Sequence, residues 1–440
     1  MPSVARAILS SWSFPAWVTA LNLFSALVYM RGWLGLQRLL PSRFTPARLA
    51  SFLGGIAVLQ IALASPIDAF DPFLLADHMF QHMLLMMIVP PLLLCADPVL
   101  PFLHGLPRPA ARSVFGPILR SRAIVSLGRA LADPPLALLL MSAAMIGWHL
   151  TGPYELAVRS PGWHEAEHAT FLLASLIFWW PVIQPWPSRA RRNAWVLPVY
   201  LLLADFVNSA VSAFLVFSGR VYYPSYLDMP RLGGISAQND QVAAGMIMWV
   251  IGSLAFLIPA VVITARLLSP VRPEASIARR RAGRAALPLG RALLVLSMAA
   301  PVAALAYGYG IPEKTDIDGD VVRAQVEAGN LRISVFTAPD PVSGDDFDVS
   351  VLVQDVADSA AVLDADVEIE VQPAGNTKAA AQFGRATRAQ SQNKLLSAAT
   401  LDLSGAAIWD LRVTVRRRGD QAIVRCRIVT ASPEAHAVAK

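Results

Sequence analysis

Apolar runs of about twenty residues recur through the first three hundred positions, and they decide the class of structure before any motif is considered. A helix rises about 1.5 Å per residue, so roughly twenty residues cross the hydrocarbon core of a bilayer. Eight such runs fall at about 14–30, 49–67, 78–96, 134–151, 166–185, 194–217, 242–266 and 288–307. Charged residues make up only 15% of the chain, against roughly 25% in soluble proteins. The sequence predicts an all-α polytopic membrane bundle with a small soluble domain after it.

The net charge of +6 would suit a nucleic-acid partner if it formed one face. It does not. No lysine occurs before Lys314, and the arginines sit in short loops. Arg31, Arg38, Arg43 and Arg48 follow the first run; five arginines follow the third, three the fifth and seven the seventh. The opposite side carries four: Arg6, Arg159, Arg220 and Arg231. Positive charge marks cytoplasmic loops, so both termini are expected outside the cytoplasm, with a lipid bilayer and not nucleic acid as the surrounding partner. The first run has no clear cleavage site and is followed by arginines, so it is expected to stay as a helix. Cys95 falls in a span and Cys426 in the tail, so no disulfide is expected. Pro90-Pro91 is expected to kink the third span.

From Glu313 the pattern changes to short alternating segments: Leu331–Thr337, Phe347–Gln354, Val367–Val371, Leu395–Leu401, Ile408–Val415 and Ile423–Val429. Period-two alternation between turn-like stretches predicts an antiparallel β-sandwich, with Trp409 in its core and Thr315–Asn330 as a linker. The expected domains are 1–270, a membrane bundle; 271–312, a basic cytoplasmic loop and an eighth, anchoring helix; and 313–440, an extracytoplasmic sandwich.

Five of the seven histidines share one depth. His78 and His82 begin the third span, His164 and His168 begin the fifth, and His149 ends the fourth. Spacing of four residues puts each pair on one helix face. A single such histidine is an interfacial or interhelical hydrogen-bonding residue. Five at one level from three segments favour a metal centre. Met86 follows His82 by one turn, and Met141, Met145 and His149 repeat that spacing, which tilts the expected metal toward copper. Methionine is also ordinary core filler. Asp77, Glu165 and Glu167 are placed to orient imidazoles or to sit solvated at the interface. Asp205, near the centre of the sixth span, needs a partner or a polar cavity. Asp240 starts the seventh span at the histidine level, as a helix-capping region.

His78-Met79-Phe80-Gln81-His82, Pro90-Pro91, Trp148-His149 with Pro153-Tyr154, His164 through His168, Phe178-Trp179-Trp180-Pro181, and Asp240-Gln241 with Trp249 together resemble the CtaG family of cytochrome c oxidase assembly factors. The resemblance covers about 15–266 and implies seven spans, so that the eighth is an addition. It implies a bacterial inner-membrane protein and a non-enzymatic role in building the oxidase's copper centres. Copper would be the bound metal, with oxidase subunits or another copper client as partners. His78, His82, His149, His164 and His168 carry over as ligands, with Asp77, Met86, Met145, Glu167, Asp205 and Asp240 in support. The tail, with Thr337-Ala338-Pro339, Gly344, Asp364-Ala365-Asp366-Val367 and Trp409, resembles YtkA-like immunoglobulin-type domains. Three other functions fit the residues alone: a copper transporter, a zinc-dependent membrane hydrolase and a bis-histidine haem protein.

Overall fold

The computed structural model describes residues 4–269 and 321–429, except 112, 114–116, 118–120, 187, 189–192, 339–346, 375–379 and 404–407. The eighth helix at 288–307, the basic loop before it and His436 therefore lie outside the described residues. The helices are α1 (Val4–Leu9), α2 (Ala16–Leu39), α3 (Pro46–Ala64), α4 (Pro66–Phe70), α5 (Leu75–Met83), α6 (Val89–Cys95) and α7 (Val99–Gly105). They continue with α8 (Arg108–Ala110), α9 (Arg122–Leu131), α10 (Pro134–Trp148), α11 (Thr151–Arg159), α12 (Pro161–Ile183), α13 (Val196–Phe217), α14 (Ser225–Asp228) and α15 (Ala237–Leu268).

Five helical units are long and apolar enough to cross a membrane: 46–70, 75–95, 161–183, 196–217 and 237–268. A sixth is the pair α9 and α10, bent by 71° where Asp133 meets Pro134-Pro135. The expected count of eight is thus not reached among the described residues. Helix α2 has the length, at 24 residues, but runs on through Arg31 and Arg38 instead of stopping near residue 30. Arginine tolerates such a position by burying its stem and turning its head to water. Large apolar side chains such as Phe206, Phe217 and Val261 point outward from the bundle, the arrangement a lipid surroundings permits and water does not.

Just before Pro90-Pro91 the third span carries a local fault in its helical hydrogen bonding. Residues Leu84–Ile88 make one π-helical turn between α5 and α6. Proline at 90 cannot donate to the carbonyl of Met86. That carbonyl accepts instead from the indole Nε1 of Trp179 at 3.0 Å. One fault in the third span thereby fixes the fifth span beside it.

At the arginine-rich end, Asp97 gathers three segments. It accepts from Arg43 at 2.6 Å, from Arg48 at 2.8 Å and from the Trp186 backbone N–H at 2.9 Å. Nearby, α2 and α7 touch backbone to backbone. A Cβ on Gly32 would lie 1.7 Å from the Pro101 carbonyl oxygen, so no other residue fits there.

The sandwich has two four-stranded antiparallel sheets. One runs β1 (Val321–Ala328), β2 (Leu331–Ala338), β3 (Phe347–Asp355), β6 (Leu396–Leu401); the other runs β5 (Gln382–Ala386), β4 (Asp366–Pro373), β7 (Ile408–Arg417), β8 (Asp420–Val429). All six expected strands are present, and Trp409 is fully buried between the sheets. The expected linker is corrected: its second half is β1, paired along β2. Strands β7 and β8 join through Arg418 and Gly419, both at positive φ (50° and 97°), the pairing a two-residue hairpin with the strands' own twist requires. Cys95 and Cys426 are unpaired.

The sandwich sits on the bundle end that holds the histidines. Phe336, Leu352, Leu395 and Leu396 pack on Ala7, Ala69, Phe70 and Phe73. Polar contacts frame that patch. Asn393 donates to the Ala69 carbonyl at 3.1 Å, Gln392 to Asp68 at 3.2 Å, and Gln354 to the Arg231 carbonyl at 3.0 Å.

Candidate metal centre

Two helix faces and one loop build the centre. On α5, His78 and His82 lie one turn apart. On α12, His164, Glu167 and His168 follow i, i+3, i+4 spacing and share a face. The faces meet. Ring centroids are 4.2 Å apart for His78 and His82, 4.2 Å for His164 and His168, 5.1 Å for His78 and His164, and 5.3 Å for His82 and His168.

The loop brings Asp71. Ser65 caps α4 by accepting from the Ile67 N–H, Pro66 starts the helix, and Asp71 follows its end. Its Oδ2 lies 3.3 Å from His164 Nε2 and 3.6 Å from His78 Nδ1. The Asp71 carbonyl accepts from the Tyr226 hydroxyl at 3.1 Å, and that hydroxyl lies 2.9 Å from the hydroxyl of Tyr154. With its own proton directed at the Asp71 carbonyl, the Tyr226 hydroxyl accepts a hydrogen bond from that of Tyr154. Burial raises both phenols above the ordinary tyrosine range, so both remain donors.

Glu167 completes the set. Its carboxylate has 1% exposure and sits 3.7 Å from His78 Nε2 and 3.8 Å from His82 Nε2. Neither oxygen receives a hydrogen bond among the described residues, and the same is true of both nitrogens of His82 and Nε2 of His168. Buried charge of this kind is normally paired or bound to a metal, because leaving it bare costs several kcal/mol. Asp71, His78 and His164 offer donors within 4.8 Å of one another, and so do His78, His82 and Glu167. The donor set, imidazole with carboxylate, fits a divalent first-row ion.

The other expected residues take different places. His149 joins neither triad. Its Nδ1 bonds the Met145 carbonyl at 2.7 Å and its ring rests near Phe171, whose other neighbour is His82. Met86 and Met145 belong to the apolar core, where each is held by its carbonyl contact. Asp77 is half-buried and outside both triads. Asp205 accepts from Ser253 at 2.8 Å, an interhelical bond. Asp240 caps a helix, but not its own: it accepts from the Leu75 and Ala76 N–H groups at 2.8 and 3.0 Å and so anchors the start of α5. Its own helix is capped by Ser236.

Sequence reasoning missed Asp71, Tyr154's role and Tyr226. The clue available was Pro153-Tyr154 among the motif residues; nothing marked Asp71, since a loop has no period to place it. All five histidines are at most 9% exposed.

A helical multi-pass membrane protein with a buried histidine–carboxylate centre beneath a β-sandwich is the class that fold and site define. Within it, the chain belongs to the family of cytochrome c oxidase caa3 assembly factors, whose family model matches residues 27–269, more than half of the 440. The match stops before the sandwich. An uncharacterized protein of Mycobacterium bovis and one of Mycobacterium tuberculosis are each 29% identical over 293 residues, covering 63% of this chain and 42% of theirs. One from Mycobacterium leprae is 25% identical over 276 residues, 60% of this chain and 40% of its own. The chain thus spans about two fifths of the length of these curated relatives. No solved structure matches it.

Proposed function

We infer that this protein assists assembly of cytochrome c oxidase by holding a metal ion, copper by the family's role, in the histidine–carboxylate centre and yielding it to an oxidase subunit outside the membrane. The observation that carries this reading is the set of buried donor atoms on His82, His168 and Glu167 that make no hydrogen bond among the described residues. Family membership supplies the oxidase; the donors supply the metal. When bound, the ion would be cargo. The chain's own residues hold it with imidazole and carboxylate, and the Tyr154–Tyr226 pair fixes the backbone of Asp71 beside it. An inner-membrane location with the sandwich outside the cytoplasm belongs to the same reading, as does a YtkA-like role for the sandwich in meeting the client.

The test is complementation. In cells lacking the protein, the wild-type gene restores oxidase activity and the copper content of the isolated oxidase, whereas the His78→Ala/His82→Ala gene, inserted in the membrane at equal level, restores neither. Full restoration by the variant would end the metal reading. A zinc centre that activates water is favoured by one observation, the two carboxylates among the donors. It predicts zinc in the purified protein. The transport reading has less support, because Asp205, the polar group an inward path would use, is bonded to Ser253.

A further inference from the structure

The two donor triads overlap in one residue only, and that residue has two donor atoms. Asp71, His78 and His164 form one triad; His78, His82 and Glu167 form the other. The ring of His78 lies between them with its nitrogens turned opposite ways. Nδ1 is 3.6 Å from Asp71 Oδ2, and Nε2 is 3.7 Å from Glu167 Oε2. Imidazole nitrogens direct their lone pairs away from each other in the ring plane, so an ion on one edge leaves the other edge out of reach.

We propose that the cluster holds two metal ions, bridged by the imidazole of His78: one with Asp71 and His164, the other with His82 and Glu167. This rests on the metal reading above and goes beyond it in number and arrangement. Charge alone does not demand two ions, since one divalent ion balances two carboxylates. Geometry does. The carboxylates face opposite nitrogens of one ring, so a single ion bound to His78 has only one of them within reach. Donors on one ion lie up to about 4 Å apart, so triads whose atoms lie within 4.8 Å close by small side-chain rotations. His168 supplies a spare donor. Its ring is 4.2 Å from that of His164 and 5.3 Å from that of His82, and its Nε2 has no hydrogen bond among the described residues. The bridge requires His78 to lose both ring protons, a loss that two bound cations favour.

The experiment uses the full chain in detergent, tag removed, loaded with Cu(II) and dialysed. Copper per chain is measured beside the electron paramagnetic resonance of the same sample. The expected wild-type result is two ions per chain with a spin integral well below two, because the bridged spins couple. Asp71→Asn and Glu167→Gln each lower the content to one ion and restore an uncoupled signal of one spin. The wild-type coupling needs no variant, so a variant that fails to fold leaves the test intact. One ion per chain with an uncoupled signal overturns the two-ion centre while the single-metal reading stands. Two ions with independent spins overturn the bridge. No retained copper overturns the metal reading itself.

Discussion

Glu167 shows at one residue what the site requires. It lies on the fifth span with 1% side-chain exposure, faces two imidazoles, and accepts no hydrogen bond among the described residues. Glu167→Gln keeps its shape and removes its charge. If the residue is a ligand, ion binding raises wild-type stability by more than that of the variant. An ion present at about a hundred times its dissociation constant adds about 2.7 kcal/mol. Thermal unfolding with and without Cu(II) measures this; equal stabilisation of both proteins would remove Glu167 from the ligand set. Tyr226 acts one step further out. Tyr226→Phe removes the donor to Asp71 and is expected to cost about 0.5–1.5 kcal/mol in the same assay. The histidine pairs were legible because helical spacing turns sequence into direction. Asp71 was not, because it reaches His78 and His164 from a loop between helices, where spacing carries no direction. Glu167 was legible as an orienting group. Its place among the donors depended on which face of α12 meets α5, and that is a tertiary fact.

At the scale of elements, the structure departs from the sequence reading where one element finishes another. Asp240 reads as the cap of its own helix, yet it caps α5 across the bundle. An N-terminal cap replaced by alanine costs about 0.5–2 kcal/mol, and here the cap also sets the position of His78. Asp240→Ala is therefore expected to lower both the unfolding midpoint and the affinity for copper, measured by competition with a chelator. Loss of stability with unchanged affinity would show that capping and site geometry are separate. The π-helical turn is a second case. Pro90-Pro91 announces a kink, but only the meeting with Trp179 shows how the freed carbonyl is satisfied. Strands β1 and β5 escaped notice for a different reason. The apolar positions of β1 include Ala324 and Ala328, and β5 pairs at a sheet edge with Phe383 exposed, so neither has a strong alternating signal.

Across the whole molecule, the sandwich and the metal centre are linked through one loop. Gln392 and Asn393 hold Asp68 and Ala69, three and two residues before Asp71. Asp68 in turn accepts from Gln81, the neighbour of His82, at 2.8 Å. The sandwich, seated on that loop, covers the end of the bundle where the cluster lies. Full-length Gln392→Ala/Asn393→Ala is expected to release bound copper to a chelator several-fold faster than wild type, by stopped-flow absorbance. An unchanged rate would mean the sandwich does not guard the site. The succession of an all-α bundle and an all-β sandwich was legible in the sequence from run length and alternation. Their contact was not, because it joins Ala7, Phe73 and Leu395, residues far apart in the chain.

The central claim is that the cluster of Asp71, His78, His82, His164, Glu167 and His168 binds metal. Metal content of the purified protein, wild type beside His78→Ala/His82→Ala, after copper loading and dialysis, tests it most directly. The account predicts copper retained at stoichiometric levels or above in the wild type and lost in the variant. Equal copper in the two, or none in either, would contradict it and leave the buried histidines and carboxylates as a packing device between the third and fifth spans.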